Sequence, residues 1–321
     1  MPVEERSGQR QEQSQRTMHE RMAEVIQRWT AGKEVCETAI PNLGLFRREA
    51  ATEPCSCFIG PSIVLVAQGA KQLLIGEHAY TYNTDRFLVT SLDLPASSQI
   101  LEASPEKPCL GLVLELDLRV MAEFIAQSGL PPPRNRPSDS SAALGKITPA
   151  ILEPFGRLLA LLDEPGAISA LAPLIEREIH YRLLMSDQAA RLWQIASVGS
   201  QSHRIARAVD WLKKNYALPL RINELADYVQ MSATTLHHHF RQLTAMSPLQ
   251  YQKWLRLHEA RRLMLNERLD VSSAAFQVGY ESPSQFNREY SRLFGNSPKR
   301  DVDELRRHAT LANSFTSLEF R

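Results

Sequence analysis

Apolar positions change their period along this chain, and the changes divide it. Residues 1–17, MPVEERSGQRQEQSQRT, are polar with no apolar period, which predicts a disordered tail. Met18, Met22, Val25, Ile26 and Trp29 then fall at helical spacing and predict an amphipathic helix over 18–36. From Gly44 to Asp117 short β-branched runs such as CFIGPSIVLVAQG, KQLLIGEHAYTYNTDRFLVTS and CLGLVLELD alternate with turn residues. Several short strands at close spacing predict a β-barrel or sandwich over about 44–117. Beyond Leu118 the strands are expected to stop. DLRVMAEFIAQSG reads as a helix ending at Gly129, and LPPPRNRPSDSS as a Pro-rich loop. From Thr148 the period is helical, with stripes in PAILEPFGRLLALLD and APLIEREIHYRLLMSDQAARLWQIA. SVGSQSH, 197–203, is the candidate linker.

The last third contains two related units. RINELADYVQMSATTLHHHFRQLTAMSP starts at Arg221, and DVSSAAFQVGYESPSQFNREYSRLFGNSP starts at Asp270. Each opens with a short helix carrying a small residue, Ala226 or Ala275. Each then turns, and restarts after a capping serine, Ser232 or Ser282. Apolar residues follow the cap at similar offsets: Leu236, Phe240 and Leu243, then Phe286, Tyr290 and Phe294. Both units close on Ser-Pro, and PLQYQKWLRLHEARRLMLNE between them predicts one long connecting helix. This is helix-turn-helix logic. Two such units in one chain could enter successive major-groove segments about 34 Å apart.

Charge sharpens the division. Residues 1–200 carry 19 Lys and Arg against 24 Asp and Glu, whereas residues 201–321 carry 18 against 12. A basic last third under a net charge of only +1 suits a polyanionic partner. Four cysteines are too few for a disulfide scaffold in 321 residues. With no secretory h-region and no run of about 18 apolar residues, the expected location is the cytoplasm.

The stretch from about Ile205 to Arg300 resembles the DNA-binding domain of AraC/XylS-type transcriptional regulators, carried by AAFQVGYESPSQFNREYSRLFGNSP and by the two-unit spacing. Phe276 and Gln277 depart from the commoner residues of that motif. The N-terminal part, through AYTYNTDRFLVTSLDLP and CLGLVLELDL, is similar to a branch with a cupin-like AraC-type N-terminal domain and aldehyde-responsive members. The resemblance implies an α+β chain. Its cupin-like β-barrel with flanking helices would be followed by an all-α domain with two helix-turn-helix units joined by a long helix. The expected layout is a tail at 1–17, a sensing and dimerisation domain at 18–196 with helices over about 118–196, a linker at 197–203, a DNA-binding domain at 204–300 and a tail at 301–321.

Three consecutive histidines, 237–239, cannot share one ion on a helix, because neighbours point about 100° apart. With Leu236 and Phe240 inward, Ala233, Thr234, His237, His238 and Arg241 are expected to face out, and His239 to turn partly away. The resemblance assigns base contact to Thr234, His237 and His238, and in the second unit to Ser284, Gln285, Asn287 and Arg288. Arg288 suits a bidentate contact with guanine, and Gln285 or Asn287 one with adenine. Arg241, Lys253, Arg256, Arg261, Arg262, Arg292, Lys299 and Arg300 are candidates for phosphate contact.

In the barrel region His78 stands alone, so no metal and no cofactor are expected. Tyr80, Tyr82 and Phe87 are candidate effector-lining residues. Cys55 and Cys57, two apart and thus on one strand face, and Cys109 are candidate thiols for an electrophile, with buried packing as the plainer role. The expected function is a DNA-binding regulator, an activator and not an enzyme. Its expected partners are promoter DNA, RNA polymerase, a small effector such as an aldehyde, and a second copy. The alternatives are a constitutive architectural DNA binder and a cysteine methyl-acceptor repair regulator. The second lacks any His or Glu constellation around PCSC.

Overall fold

The computed structural model describes residues 3–127, 140–197 and 199–311. They fall into two compact units that divide between Ser200 and Gln201, inside the 197–203 stretch. The class is α+β: among the described residues the strands all lie in the first unit, and the second is helical.

The first unit opens with α1, Val3–Trp29. Residues 3–17, expected as a disordered tail, are therefore the first turns of this helix, whose later turns bury Met22, Ala23 and Ile26. The helix also stops earlier than the expected 36. Gly32 takes a positive φ of 72°, and Val35–Glu37 is already the first strand, β1. The strands β2 (Leu43–Arg48), β3 (Cys55–Ile59), β4 (Ser62–Gln68), β5 (Ala70–Ile75), β6 (His78–Tyr82), β7 (Arg86–Thr90), β8 (Leu94–Glu102) and β9 (Cys109–Glu115) follow. After α2 (Leu118–Gln127) comes a strand the sequence reading missed, β10 (Ala142–Lys146). Most of the Pro-rich loop and Gly129 lie outside the described residues.

Two antiparallel sheets result, one in the order β1-β2-β9-β4-β7-β10 and one in the order β3-β8-β5-β6. The first sheet is covered on both faces. Leu45, Ile63, Leu65, Phe87, Val89, Leu110, Leu112 and Leu114 join a core with α1, α3 (Pro149–Ala160) and α4 (Pro165–Leu184). The alternate residues, among them Phe46, Val64, Val66 and Leu88, are buried on the opposite face. Burial on both sides is why SIVLVAQ and CLGLVLE read as unbroken apolar runs rather than alternations. A short helix, α5 (Ala189–Ala196), completes the unit, and Gln188 just before it donates to the Leu144 carbonyl at 3.0 Å.

The second unit is built from α6 (Gln201–Lys214), α7 (Ile222–Tyr228), α8 (Ala233–Thr244), α9 (Pro248–Asn266), α10 (Val271–Gln277), α11 (Pro283–Phe294) and α12 (Pro298–Leu311). The central α9 starts at a capping box in which Ser247 and Gln250 each accept from the other's backbone N–H. It is buried around much of its circumference, from Tyr251 to Met264, because elements of both repeats pack on it. The expected tail at 301–321 is corrected for its described part: residues 301–311 continue α12, and Val302 is a core residue.

His258 on α9 stacks on Trp254 at 3.6 Å between ring centroids and meets Phe294 edge-on at 4.9 Å. Burial, assisted by the nearby Arg261 charge, pushes its pKa down from the ordinary 6.5 to about 3. The folded unit therefore keeps this ring neutral where the unfolded chain takes up a proton. Stability from this site is complete above pH 6.5 and is lost as pH falls through the window down to about 3. Urea unfolding should show His258→Phe removing about 2 kcal/mol of the acid sensitivity between about pH 7 and about pH 5.

Candidate nucleic-acid interface and effector site

The two repeats of the second unit are built alike. In the first, the Met231 N–H returns to the Ala226 carbonyl at 2.9 Å; in the second, the Tyr280 N–H returns to the Ala275 carbonyl at 3.0 Å. Each turn needs one left-handed residue, Gln230 at φ 57° and Gly279 at φ 89°. Ala226 and Ala275 are almost fully buried, so the paired helices approach closely. The Ser232 hydroxyl accepts from the Thr235 N–H, and the Ser282 hydroxyl from the Gln285 N–H, which fixes where α8 and α11 begin.

Leu236, Phe240 and Thr244 anchor α8 inward, and Phe286 and Tyr290 anchor α11. The opposite faces are open. Thr234, His237, His238 and Arg241 are exposed on α8, and Ser284, Gln285, Asn287 and Arg288 on α11. His239 is half-buried, with its Nδ1 3.1 Å from the Gln242 side chain and its ring against His238. Gln285 is partly committed: its Nε2 donates to Glu289 at 3.1 Å. Glu289 also accepts from Lys253 and from the Tyr280 hydroxyl, both at 2.8 Å. Burial would raise the Glu289 pKa, but these bonds outweigh it and hold the carboxyl below its usual range.

The basic residues divide into two groups. Arg256 donates to the carbonyls of Tyr216, Gly279 and Leu218 at 2.7, 2.7 and 3.0 Å, so it clamps loops to α9. Arg261 makes a bidentate pair with Asp301, at 2.8 and 2.7 Å, and Arg262 pairs with Glu259 and Glu267. With Lys253 on Glu289, these four expected phosphate contacts are internal ties in this structure. Arg300 lies 3.5 Å from Glu304. Arg241, Arg288, Arg292 and Lys299 are exposed and have no acid partner among the described residues. The sequence gives no sign of this division, because it depends on which acids the fold brings near each guanidinium.

In the first unit the pairing register puts several effector candidates together. Cys55 and Cys57 sit opposite Ser98 and Ala96, and Lys71 and Leu73 sit opposite Tyr82 and Tyr80. Cys57 and Cys109 both lie within electrostatic range of Lys71 and of Tyr82. Burial raises the Tyr82 pKa well above its ordinary 10 and pushes the Cys109 thiol up to about 11, despite the opposing charges of Lys71 and Arg48. Cys109 is thus a protonated, buried thiol, whereas Cys55 is exposed. Phe87 is not with them. It lies on the helix-covered face of its sheet, where a Cβ on Gly145 would fall 2.0 Å from its ring. Strand alternation decides this: Phe87 shares its face with Val89, which packs against the helices. Among the described residues, no three of His, Cys, Asp and Glu gather as a metal-ligand cluster.

The sequence reading missed two cations. Lys71 sits in AKQLLI on the same strand face as Leu73 and Ile75, a period-2 signal that places an amine among inward side chains. Arg191 precedes Ile195 by one helical turn on the buried face of α5.

Known proteins match both units. Residues 39–191 match the model for the AraC-type transcriptional regulator N-terminus, and residues 225–302 match a helix-turn-helix domain model. The HTH-type transcriptional activator RhaS of Pectobacterium carotovorum is 30% identical over 141 residues, which is 44% of this chain and 48% of that protein. The HTH-type transcriptional regulator ArgR of Pseudomonas aeruginosa is 26% identical over 162 residues, 50% of this chain and 49% of that one. The chain thus spans about half the length of the curated relatives it matches. Among solved structures, apo ToxT of Vibrio cholerae superposes with a TM-score of 0.56 at 9% identity, covering 83% of this chain and 99% of ToxT. ToxT with bound unsaturated fatty acid gives 0.54 at 11% identity, covering 81% and 93%. At that identity the likeness concerns the fold. With an AraC-type N-terminal domain followed by two helix-turn-helix units on a shared central helix, the chain belongs to the AraC/XylS-type family of transcriptional regulators.

Proposed function

We propose that the protein is a sequence-specific, promoter-binding transcriptional activator that acts in the cytoplasm and answers to a small organic molecule taken up by its N-terminal unit. One observation carries the DNA-binding part. Two serine-capped helices, each anchored by buried aromatic residues, turn outward a polar face with an arginine free of acid partners, Arg241 or Arg288. Thr234, His237 and His238 then read one major-groove segment, and Ser284, Gln285, Asn287 and Arg288 the next. Arg241, Arg292 and Lys299 hold phosphates. Activation is supported by the name of the RhaS relatives and implies contact with RNA polymerase. A second copy is expected as partner, and the exposed Leu171, Leu174 and Met185 supply apolar surface for it. Of the thiols, Cys55 and Cys57 remain the ones suited to an electrophile such as an aldehyde.

Fluorescence anisotropy with upstream intergenic DNA tests the reading. The wild type should bind with steep salt dependence, and Arg288→Ala should lose about 1–3 kcal/mol of specific affinity while its binding to random DNA changes little. Equal losses on specific and random DNA would make Arg288 a phosphate contact instead.

A further inference from the structure

Arg191 is a buried cation that no anion of the described residues meets. The residue is only 7% exposed, and its Nε and Nη1 are sealed from solvent with no hydrogen-bond acceptor. An arginine cannot escape this by losing its proton, since its guanidinium stays charged in proteins. The Tyr80 phenol lies within electrostatic range of it. That phenol and the Ser140 hydroxyl lie 2.6 Å apart, so β6 and the start of β10 present two hydroxyls at this seam. Ser140 also accepts from the Ala142 N–H, which holds it in place.

A second cation stands on the same strand pair. Lys71 is opposite Tyr82, two residues along β6 from Tyr80 and on the same strand face. Two residues of strand span about 7 Å. Its ammonium lies 4.6 Å from the Phe46 ring centroid, and no carboxylate or hydrogen-bond acceptor of the described residues meets it. The side chains around Lys71 are aromatic and aliphatic: the Phe46 ring beside it, Tyr82 and Ile100 opposite it on the neighbouring strands, and Leu73 two residues along the same strand.

We propose that Arg191, with the Tyr80 and Ser140 hydroxyls beside it, anchors a small organic carboxylate whose body runs along β6 toward Lys71. The planar guanidinium offers paired N–H donors that match a carboxylate, the Tyr80 hydroxyl can donate to a remaining lone pair when it accepts from Ser140, and the apolar side chains around Lys71 suit a hydrocarbon or aromatic body. This inference rests on the reading of the first unit as an effector-binding domain and names the chemical class of the effector. It gives the buried guanidinium, which no acid of the described residues meets, a counter-charge: the ligand supplies it.

Thermal unfolding and titration calorimetry on the full chain test it, with benzoate, octanoate and succinate as carboxylates, benzamide as a neutral analogue and inorganic phosphate as a plain oxyanion. At least one carboxylate should raise the unfolding temperature, with benzamide and phosphate inert. Arg191→Met should weaken that carboxylate by about tenfold or more, and Lys71→Met should weaken it too. Without ligand, Arg191→Met should unfold no earlier than the wild type, because it removes an unpaired buried charge. The proposal is overturned if no carboxylate stabilises the wild type, if phosphate does so equally, or if Arg191→Met lowers the ligand-free unfolding temperature and leaves the carboxylate response intact. Promoter DNA anisotropy on the same samples separates the two failures. Normal DNA binding with no carboxylate response sinks this site alone, whereas absent DNA binding sinks the regulator reading.

Discussion

Asp301→Ala should cost the second unit about 3 kcal/mol, one of the largest effects expected of any single change in it. Asp301 is nearly buried, accepts both arms of Arg261, and takes a 2.6 Å hydrogen bond from the Tyr290 hydroxyl. The triad ties α9, α11 and α12 together beneath the second outward-facing helix. Removing the carboxylate takes two charged hydrogen bonds from the guanidinium and one from the phenol. Arg261 retains some solvent access, with 21% of its side chain exposed, which keeps the expected loss toward the lower end for a broken buried pair. Tyr290→Phe, which removes one hydrogen bond and leaves the ion pair, should cost only about 1 kcal/mol. Urea unfolding of the three proteins checks the order. A loss for Asp301→Ala no greater than for Tyr290→Phe would show the ion pair to be inert.

Gly279→Ala should be comparably damaging, and Gly295→Ala should not. Both glycines have positive φ, 89° and 78°. Around Gly295 there is open space, so the substitution costs only the left-handed backbone penalty, about 1 kcal/mol. At Gly279 a Cβ would stand 2.1 Å from the Ala217 carbonyl oxygen, in a loop that Arg256 clamps to the same place. Overpacking against backbone raises the expected cost to about 3 kcal/mol. The contrast between two glycines of similar φ isolates the steric part. Equal melting temperatures for the two variants would mean that the Ala217 loop yields freely.

Much of this was readable from the chain because local and tertiary signals agree. Ser232 and Ser282 cap the helices their spacing predicts, and Leu236, Phe240, Phe286 and Tyr290 face the core their periods demand. Gly279 sits where a turn with positive φ is required. The disagreements have physical causes. AALGK is too short and too rich in small residues to announce a strand. It becomes one because β7 offers an edge and because Gly145 leaves room for the Phe87 ring. The polar run at 3–17 carries no apolar period, yet it continues the helix whose later turns are held by Met22 and Ile26. Arg261 and Arg262 read as phosphate contacts because a basic helix looks alike whether its partners are acids of the fold or of DNA. Only the chain's return through α12 brings Asp301 to Arg261. Phe87 and Tyr82 look equivalent in sequence, and the face each occupies depends on the register of its own strand.

The central claim is that both outward helices read DNA together. The most direct measurement is base-level methylation protection on the upstream operator, comparing wild type, Arg288→Ala and His237→Ala. Two protected major-groove segments about 10–10.5 base pairs apart are predicted on one face of the duplex. Arg288→Ala should lose protection in one segment, and His237→Ala should weaken it in the other. A single protected segment, or two that fade together whichever helix is altered, would contradict the account.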